Sequence, residues 1–322
     1  MKLSLVIPCF NEEGNIKPMY QKVVDTFDGK IEDYEFVFVN DGSSDQTEAQ
    51  LKALLESSTL PIKVVHFSRN FGKEAAIYAG LQQAEGDYIS LIDADLQQDP
   101  SYVLKMLDFL EENPDYDSVA AFQEEREEGV AMAKIKGAFY HIINKISDTE
   151  FVDGASDFRT FRKRVRDAIL QMTEYHRFSK GIFSWVGFRT YYMPYHVEER
   201  LTGTSKWSFG KLMKYAIEGI VAFTTVPLKV STWVGTLTSF AALIYMIVVI
   251  IQKLCFDIAV PGYATIVVLI LFLGGMQLLA LGIMGEYLSR TYIQTKRRPI
   301  YLAREILTNR PEKETEENRN QN

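Results

Sequence analysis

Cysteine is nearly missing from this chain: Cys9 and Cys255 are the only two in 322 residues. They lie far apart in unlike surroundings, which excludes a disulfide framework and a cysteine-based zinc site. Neither a GxxxxGK[ST] nor a GxGxxG run follows the first expected strand, so P-loop and dinucleotide-binding domains lose their usual phosphate cradle. No cationic start with an apolar run and a small-residue cleavage site opens at Met1, so the N-terminal domain is expected not to be secreted. Charge, too, is missing from two long stretches. Val230–Gln252 holds 23 residues without a charged side chain and Ile258–Gly285 holds 28. Each is long enough to cross a hydrocarbon core of about 30 Å at about 1.5 Å per residue.

Soluble helices rarely stay uncharged on every face for this long, so the two runs are expected to be transmembrane helices, at 230–252 and 258–288. The connector Lys253–Asp257 is too short for a domain, which makes the pair a hairpin with both flanks on one side. Lys206, Lys211, Lys214 and Lys229 precede the first run, and Lys296, Arg297, Arg298 and Arg304 follow the second. The positive-inside rule therefore puts both ends in the cytoplasm. The net charge of −7 hides a cationic zone: Phe158–Arg189 holds eight Lys or Arg against Asp167 and Glu174. Next to two spans, that zone suits anionic lipid or a phosphate-bearing lipid better than nucleic acid.

What is present before the spans is a rhythm. Strand-like runs at Leu3–Cys9, Glu35–Asn40, Ile62–Phe67, Tyr88–Asp93 and Ser118–Phe122 alternate with helical stretches near 12–27, 45–57, 73–85 and 100–112. The pattern predicts an α/β domain with a mostly parallel sheet covered on both faces, and ligands bind such sheets at the carboxyl ends of the strands. A helix is expected near Met132–Ser147, a polar segment at Asp153–Arg159, a basic helix near Lys163–Met172 and a strand at Gly187–Tyr195. Lys206–Phe223 interleaves apolar residues with lysines, as a helix lying on a membrane surface or packed on the globular domain would. The expected layout is a catalytic domain at 1–205, an amphipathic juxtamembrane segment at 206–229, the two spans, and a basic then disordered polar tail at 289–322.

Polar clusters end the first four strands: Pro8–Glu13, Asn40–Asp45, Ser68–Lys73 and Asp93–Asp99. Each also has a purely local explanation. Asn11 could cap a helix, Asp45 with Glu48 could form a capping-box-like pair, and Pro100 could open a first turn. The fourth cluster carries Asp93-Ala-Asp95. Hard divalent cations take carboxylates together with phosphate oxygens and water, and residues two apart on an extended strand face one side. Asp93 and Asp95 could thus share one Mg2+ or Mn2+ and its diphosphate if the strand persists that far.

Val6-Ile-Pro-Cys-Phe-Asn-Glu12, Val39-Asn-Asp-Gly-Ser-Ser-Asp45, Ser68-Arg-Asn-Phe-Gly-Lys73 and Asp93-Ala-Asp-Leu-Gln97 resemble the successive signatures of glycosyltransferase family 2, with its GT-A fold. Together with the two spans and Glu199-Arg-Leu-Thr-Gly-Thr-Ser-Lys-Trp207, the chain is similar to the polyprenyl-phosphate glycosyltransferases, bactoprenol glucosyltransferases and dolichol-phosphate mannose synthases among them. The resemblance implies that Pro8, Phe10, Asn11, Glu12, Asp41, Lys73 and Asp93 bind the donor nucleotide, with Asp41 near the base. It implies a metal environment of Asp93, Asp95 and Gln97. Relatives often carry Tyr where Phe10 stands, so a hydroxyl contact is absent there. Arg200, Ser205 and Lys206 are implied to hold the acceptor phosphate, with Arg126 and Arg159 as weaker candidates. Asp95, Asp157, Arg200 and Lys206 are the expected catalytic residues. Asp157 could orient the nucleophile, act as a base, or merely pair with Arg159 or Arg162.

The resemblance implies inverting transfer of a hexose, glucose from UDP-glucose in the first instance, to undecaprenyl phosphate at the cytoplasmic membrane. GDP-mannose or another sugar nucleotide remains open as donor, and so does a non-catalytic scaffold or flippase component. A processive polysaccharide synthase would carry a QxxRW segment, which is missing. Gly274, Gly275, Gly282 and Gly285 would permit close helix contact, so a homo-oligomer through the spans is expected.

Overall fold

The computed structural model describes residues 2–123, 144, 152, 154–195, 221, 224–256 and 262–310. Two compact units divide the chain: one comprises 1–144, 149–209 and 299–322, the other 145–148 and 210–298.

The first unit is built on an eight-stranded sheet: β1 (Leu3–Cys9), β2 (Tyr34–Asn40), β3 (Ile62–Phe67), β4 (Tyr88–Leu91), β5 (Ser118–Gln123), β6 (Ala155–Arg162), β7 (Thr190–Tyr195) and β8 (Ala303–Thr308). Their order is β7-β5-β6-β4-β1-β2-β3-β8. The central strands β4, β1, β2 and β3 run parallel, as do β5 and β7, whereas β6 and β8 are antiparallel to their neighbours. Strand order reverses at β1, which pairs with β2 on one side and β4 on the other. Chains leaving these strands diverge there and open a crevice at their carboxyl ends.

Among the described residues, six helices accompany the sheet: α1 (Ile16–Phe27), α2 (Thr47–Ser57), α3 (Lys73–Gln83), α4 (Ser101–Glu112), α5 (Lys163–Leu170) and α6 (Ser179–Trp185). The period of two along β1 divides its side chains between two faces. Leu3, Leu5, Ile7 and Cys9 join a core with Met19 and Val23 of α1 and Met106 and Leu110 of α4. On the other face, Val39 and Val65 meet Ala75, Ala76 and Ala79 of α3. Small residues let α3 lie close: a Cβ built on Gly80 would stand 2.2 Å from Val6 Cγ1. These central strands are buried on both faces, as the near-continuous apolar runs predict.

Three elements differ from expectation. β4 stops at Leu91, two residues before Asp93. The segment expected to be merely polar, Asp153–Arg159, contributes most of β6, a central strand in which Ser90 and Thr160 hydroxyls meet at 2.9 Å. The stretch expected as tail supplies β8 on the β3 edge, so the sheet unit is completed from beyond the apolar runs.

The second unit contains α7 (Val226–Phe256) and α8 (Tyr263–Thr295), both longer than the uncharged runs because helix propagates into the polar flanks. α7 takes in Lys253, expected in the connector, and the last residues of the expected juxtamembrane segment. α8 starts later than 258, with Gly262 as its N-cap. Both are long and apolar enough to cross a membrane, over Val226–Gln252 and Val268–Thr295, and neither window is buried in protein. Trp233, Leu271 and Leu278 are more than two-thirds exposed, a surface suited to lipid rather than water. Tyr287 Oη donates to the Thr224 carbonyl at 2.7 Å within this unit.

Candidate active site

The four strand-end clusters are stitched into one rim by hydrogen bonds. Between the first two, Asn11 N–H donates to Ser43 Oγ at 3.0 Å, and Asn11 Oδ1 accepts from Ser44 N–H at 2.9 Å. Asn11 adopts φ 57°, a left-handed conformation that Asn tolerates better than most residues, so this side chain is turned to the neighbouring loop instead of capping a helix. Glu12 N–H donates to Thr47 Oγ1 at 2.8 Å, and Asn15 donates to the Glu12 carboxylate at 2.6 Å. Asp45 accepts from Glu13 N–H at 3.2 Å and from Thr47 N–H at 3.0 Å, so it serves both the helix start and the rim.

Asp41 joins the second cluster to the third. Its carboxylate accepts from Phe71 N–H at 2.6 Å, Gly72 N–H at 2.9 Å and Asn70 Nδ2 at 2.9 Å. Burial pushes the Asp41 pKa up, opposed by those two backbone donors and by Arg69. Gly42 lies beneath this loop at φ +63°, where a Cβ would stand 2.4 Å from the Arg69 carbonyl carbon. Only glycine fits that approach without displacing the loop.

Lys73 joins the third cluster to the fourth. Its Nζ lies 2.7 and 2.9 Å from the two Asp93 oxygens and 3.5 Å from Asp157 on β6. Burial alone would lower the lysine pKa, but Asp93 and Asp157 outweigh it and hold the ammonium firmly charged. For Asp157, burial acts upward and is overcome by Lys73, Lys180 and Arg159, so its pKa falls below the ordinary carboxylate value. Asp157 is thus an ionised partner of Lys73, not of Arg162. The Arg162 guanidinium is taken by the Tyr116 carbonyl at 3.0 Å and Tyr88 Oη at 2.7 Å. Arg159 is buried, stacks 3.9 Å over Phe183 and donates to the Ser156 carbonyl at 2.9 Å.

Gln98, which sequence reasoning passed over in favour of Gln97, clamps Asp93 from both ends. Its Oε1 accepts from Asp93 N–H at 2.8 Å, and its Nε2 donates to the carboxylate at 3.1 Å. The only signal was its place beside Gln97 in a paired Gln-Gln. Because β4 ends at Leu91, Asp93 and Asp95 do not share a strand face. A turn brings Asp95 round, with Leu96 at φ 62° and Gln97 N–H donating to Asp95 at 3.2 Å. Asp99 accepts from Ser101 N–H at 2.8 Å, and Pro100 is the N-cap of α4.

Negative charge concentrates on this rim. Burial raises the Glu12 pKa, Asn15 opposes the rise, and Asp95, Asp93 and Asp45 add to it. The buried Cys9 thiol is pushed up as well, by burial and then by Glu12, Asp93 and Asp45, which leaves it no thiolate nucleophile. Two partly exposed carboxylates with an amide at Gln97 are the donor chemistry a hard divalent cation takes. Among the described residues no set of three or more His, Cys, Asp or Glu is arranged around one point as a cation site. Phe10 is 47% exposed beside this rim. Pro8 lies opposite Val39, one residue before β1 ends at Cys9. Arg126, Arg200, Ser205 and Lys206 lie outside the described residues, as do the helix expected near 132–147, apart from residue 144, and most of 206–223.

A doubly wound sheet with a carboxylate-rich crevice at its switch point, followed by two apolar helices, defines a GT-A-like α/β protein with a membrane hairpin. The profile of Glycosyl transferase family 2 matches residues 4–170, and that of the GtrB C-terminal hairpin matches 226–291. The chain is 42% identical over 308 residues to the prophage bactoprenol glucosyl transferase homolog of Escherichia coli (strain K12), covering 95% of this chain and 99% of that one. It is 41% identical over 304 residues to the bactoprenol glucosyl transferase of Shigella phage SfV, covering 94% and 98%. Glucosyl-3-phosphoglycerate synthase from Mycobacterium tuberculosis, solved with Mn2+, uridine-diphosphate and phosphoglyceric acid, aligns at 16% identity over 67% of this chain and 74% of its own, with a TM-score of 0.45. The chain belongs to glycosyl transferase family 2 and is a glycosyltransferase.

Proposed function

We propose that this chain transfers glucose from UDP-glucose to undecaprenyl phosphate, forming a lipid-linked sugar at the cytoplasmic face of the membrane. The observation that carries the reading is the joining of all four strand-end clusters into one rim through Asn11–Ser44, Asp41–Phe71 and Lys73–Asp93. Relatives named bactoprenol glucosyl transferases, matched over nearly the whole chain, supply the sugar and the acceptor.

In this reading Pro8, Phe10, Asn11, Glu12 and Asp41 hold the nucleoside, and Lys73 balances charge between Asp93 and Asp157. An acceptor phosphate oxygen attacks C1 of the sugar in line. The C1–O bond to the diphosphate breaks, UDP leaves with the bonding pair, and configuration at C1 inverts. The acceptor is already anionic, so it needs orientation more than a base, and an ionised Asp157 paired with Lys73 fits that division. Asp93, Asp95 and Gln97 would hold Mg2+ or Mn2+, which when bound offsets charge on the departing diphosphate. Arg200, Ser205 and Lys206, with Arg126, complete the acceptor side. Arg159, buried and stacked over Phe183, is the remaining acceptor candidate.

Both termini lie in the cytoplasm, by the excess of cations outside the hairpin. Gly274, Gly275, Gly282 and Gly285 have nothing within 4 Å of an added Cβ, which leaves room for a second copy.

The test is transfer from labelled UDP-glucose, GDP-mannose and other sugar nucleotides to undecaprenyl phosphate by the full chain in detergent, with and without EDTA. UDP-glucose is expected as the preferred donor, with activity lost in EDTA and restored by Mg2+ or Mn2+. Asp95→Asn is expected to lower turnover by about 100-fold without unfolding. Preference for GDP-mannose would replace the donor, transfer indifferent to EDTA would remove the metal, and no transfer at all would favour a scaffold.

A further inference from the structure

The donor loop Ser68–Lys73 is braced from behind by a segment that follows α8 in sequence. Tyr301 stacks on Phe67 with ring centroids 4.7 Å apart and planes 21° apart. Phe67 in turn meets the edge of Phe71 at 5.6 Å and 89°. Phe71 N–H is the 2.6 Å donor to Asp41, and the next residue, Gly72, is the 2.9 Å donor. Ile300 and Tyr301 pack with Phe71 on the α3 side of the sheet. The Leu302 carbonyl accepts from Ser68 N–H at 3.0 Å, and Tyr301 Oη donates to Gln82 at 2.7 Å.

We propose that Tyr301 is a positioning residue for the donor nucleotide, acting through Phe67 and Phe71 on the two backbone N–H groups that orient Asp41. Three physical points support it. A carboxylate held by two adjacent N–H donors follows the backbone that carries them, so a loop shift re-aims Asp41 directly. Gly72, at φ +99°, takes a conformation that glycine adopts without strain, and among the described residues nothing lies within 4 Å of an added Cβ, so local packing at Gly72 does not fix the loop. Aromatic pairs of this offset and edge-to-face geometry are directional, so the ring of Tyr301 sets the plane of Phe67 and the approach of Phe71.

Strand β8 itself is fastened elsewhere. Arg304 pairs with Glu48 at 2.6 Å, Glu305 pairs with Lys52 at 3.1 Å, and Asn309 accepts from Ile62 N–H at 2.9 Å. Attachment of the strand and alignment of the loop therefore depend on different side chains, which makes them separable by mutation. The inference rests on Asp41 holding the nucleoside, as proposed above.

The experiment is UDP binding to the full chain in detergent, by isothermal titration calorimetry, alongside steady-state transfer. Tyr301→Leu keeps apolar cover but loses the stack. It is expected to weaken UDP binding and raise the donor KM by about tenfold, the lower range for removing a group behind a ligand-binding side chain, while kcat at saturating donor holds. Tyr301→Phe keeps the ring and is expected to restore both. Arg304→Ala, which loosens the strand away from the aromatic chain, is expected to leave UDP affinity unchanged. Wild-type affinity in Tyr301→Leu while Asp41→Asn binds UDP weakly would overturn the positioning role alone. An equal loss in Arg304→Ala and Tyr301→Leu would also overturn it, because strand attachment would then account for the effect. Wild-type affinity in Asp41→Asn would sink the Asp41 reading and the relay with it.

Discussion

Single residues on the rim are held mainly by neighbours 20 or more positions away in the chain, with Gln98, five from Asp93, the near exception. Asp93 is fixed by Gln98 and Lys73, Asp41 by Asn70, Phe71 and Gly72, and Asn11 by Ser43 and Ser44. Glycines set how closely those neighbours approach. Gly80→Ala exchanges a helix-interior glycine for a better helix former, worth about 1 kcal/mol, yet puts a methyl 2.2 Å from Val6 Cγ1. Val6 is β-branched and locked in a central strand, so it has little room to turn away. Overpacking of about 1–3 kcal/mol exceeds the helix gain. The variant is expected to melt a few degrees lower than wild type in a thermal scan, and a higher melting temperature would show that α3 has slack on β1.

Among elements, β8 is the one whose attachment carries a readable pH signature. Arg304 and then Lys52 hold Glu48 from its ordinary 4.5 down to about 2. A carboxylate whose pKa is depressed on folding contributes stability above its unfolded pKa and loses it as pH falls toward the folded value. The thermal stability of wild type should therefore exceed that of Glu48→Gln at pH 7, and the gap should close as pH falls from about 4.5 to about 2. These are partly exposed pairs, so the gap at pH 7 is expected to be no more than about 4 °C and to shrink in high salt. A gap that widens in acid would reverse the assigned direction. The same element shows why tail and strand were hard to distinguish in sequence. Ala303–Thr308 alternates polar and apolar residues only briefly, and its partner β3 lies more than 200 positions away.

For the whole molecule, two apolar helices of 31 and 33 residues expose side chains suited to a lipid phase. The chain expressed in cells is expected to stay with the membrane pellet through an alkaline carbonate wash. Release into the supernatant would overturn the reading of both helices as spans. Residues before and after this hairpin belong to one compact α/β unit, so the catalytic unit is discontinuous in sequence. A fragment ending before α7 would lack β8 and Tyr301, and with them the brace on the donor loop.

Much of this protein was legible in its sequence because the signals were local and long. Apolar runs marked β1, β2 and β3, periodic segments marked α1 to α4, and uncharged stretches marked α7 and α8. The four motifs at strand ends pointed to Asn11, Asp41, Lys73, Asp93 and Asp95, and the sheet gathers these residues at one rim. What the sequence could not decide depended on partners remote in the chain. β6 places Arg159 and Thr160 in a buried strand, where neighbouring strands rather than its own alternation make it β. Asp157 pairs with Lys73, with Lys180 and Arg159 adding positive charge around it, because β6 pairs with β4 and delivers it to the third and fourth clusters. Asp93 and Asp95 parted from the expected strand geometry because β4 loses its partner register after Leu91 and turns. Residue type and periodicity, which act over a few positions, determined the chemistry and the elements. Which carboxylate faces which cation, and which aromatic lies behind the donor loop, was decided by pairing across the sheet.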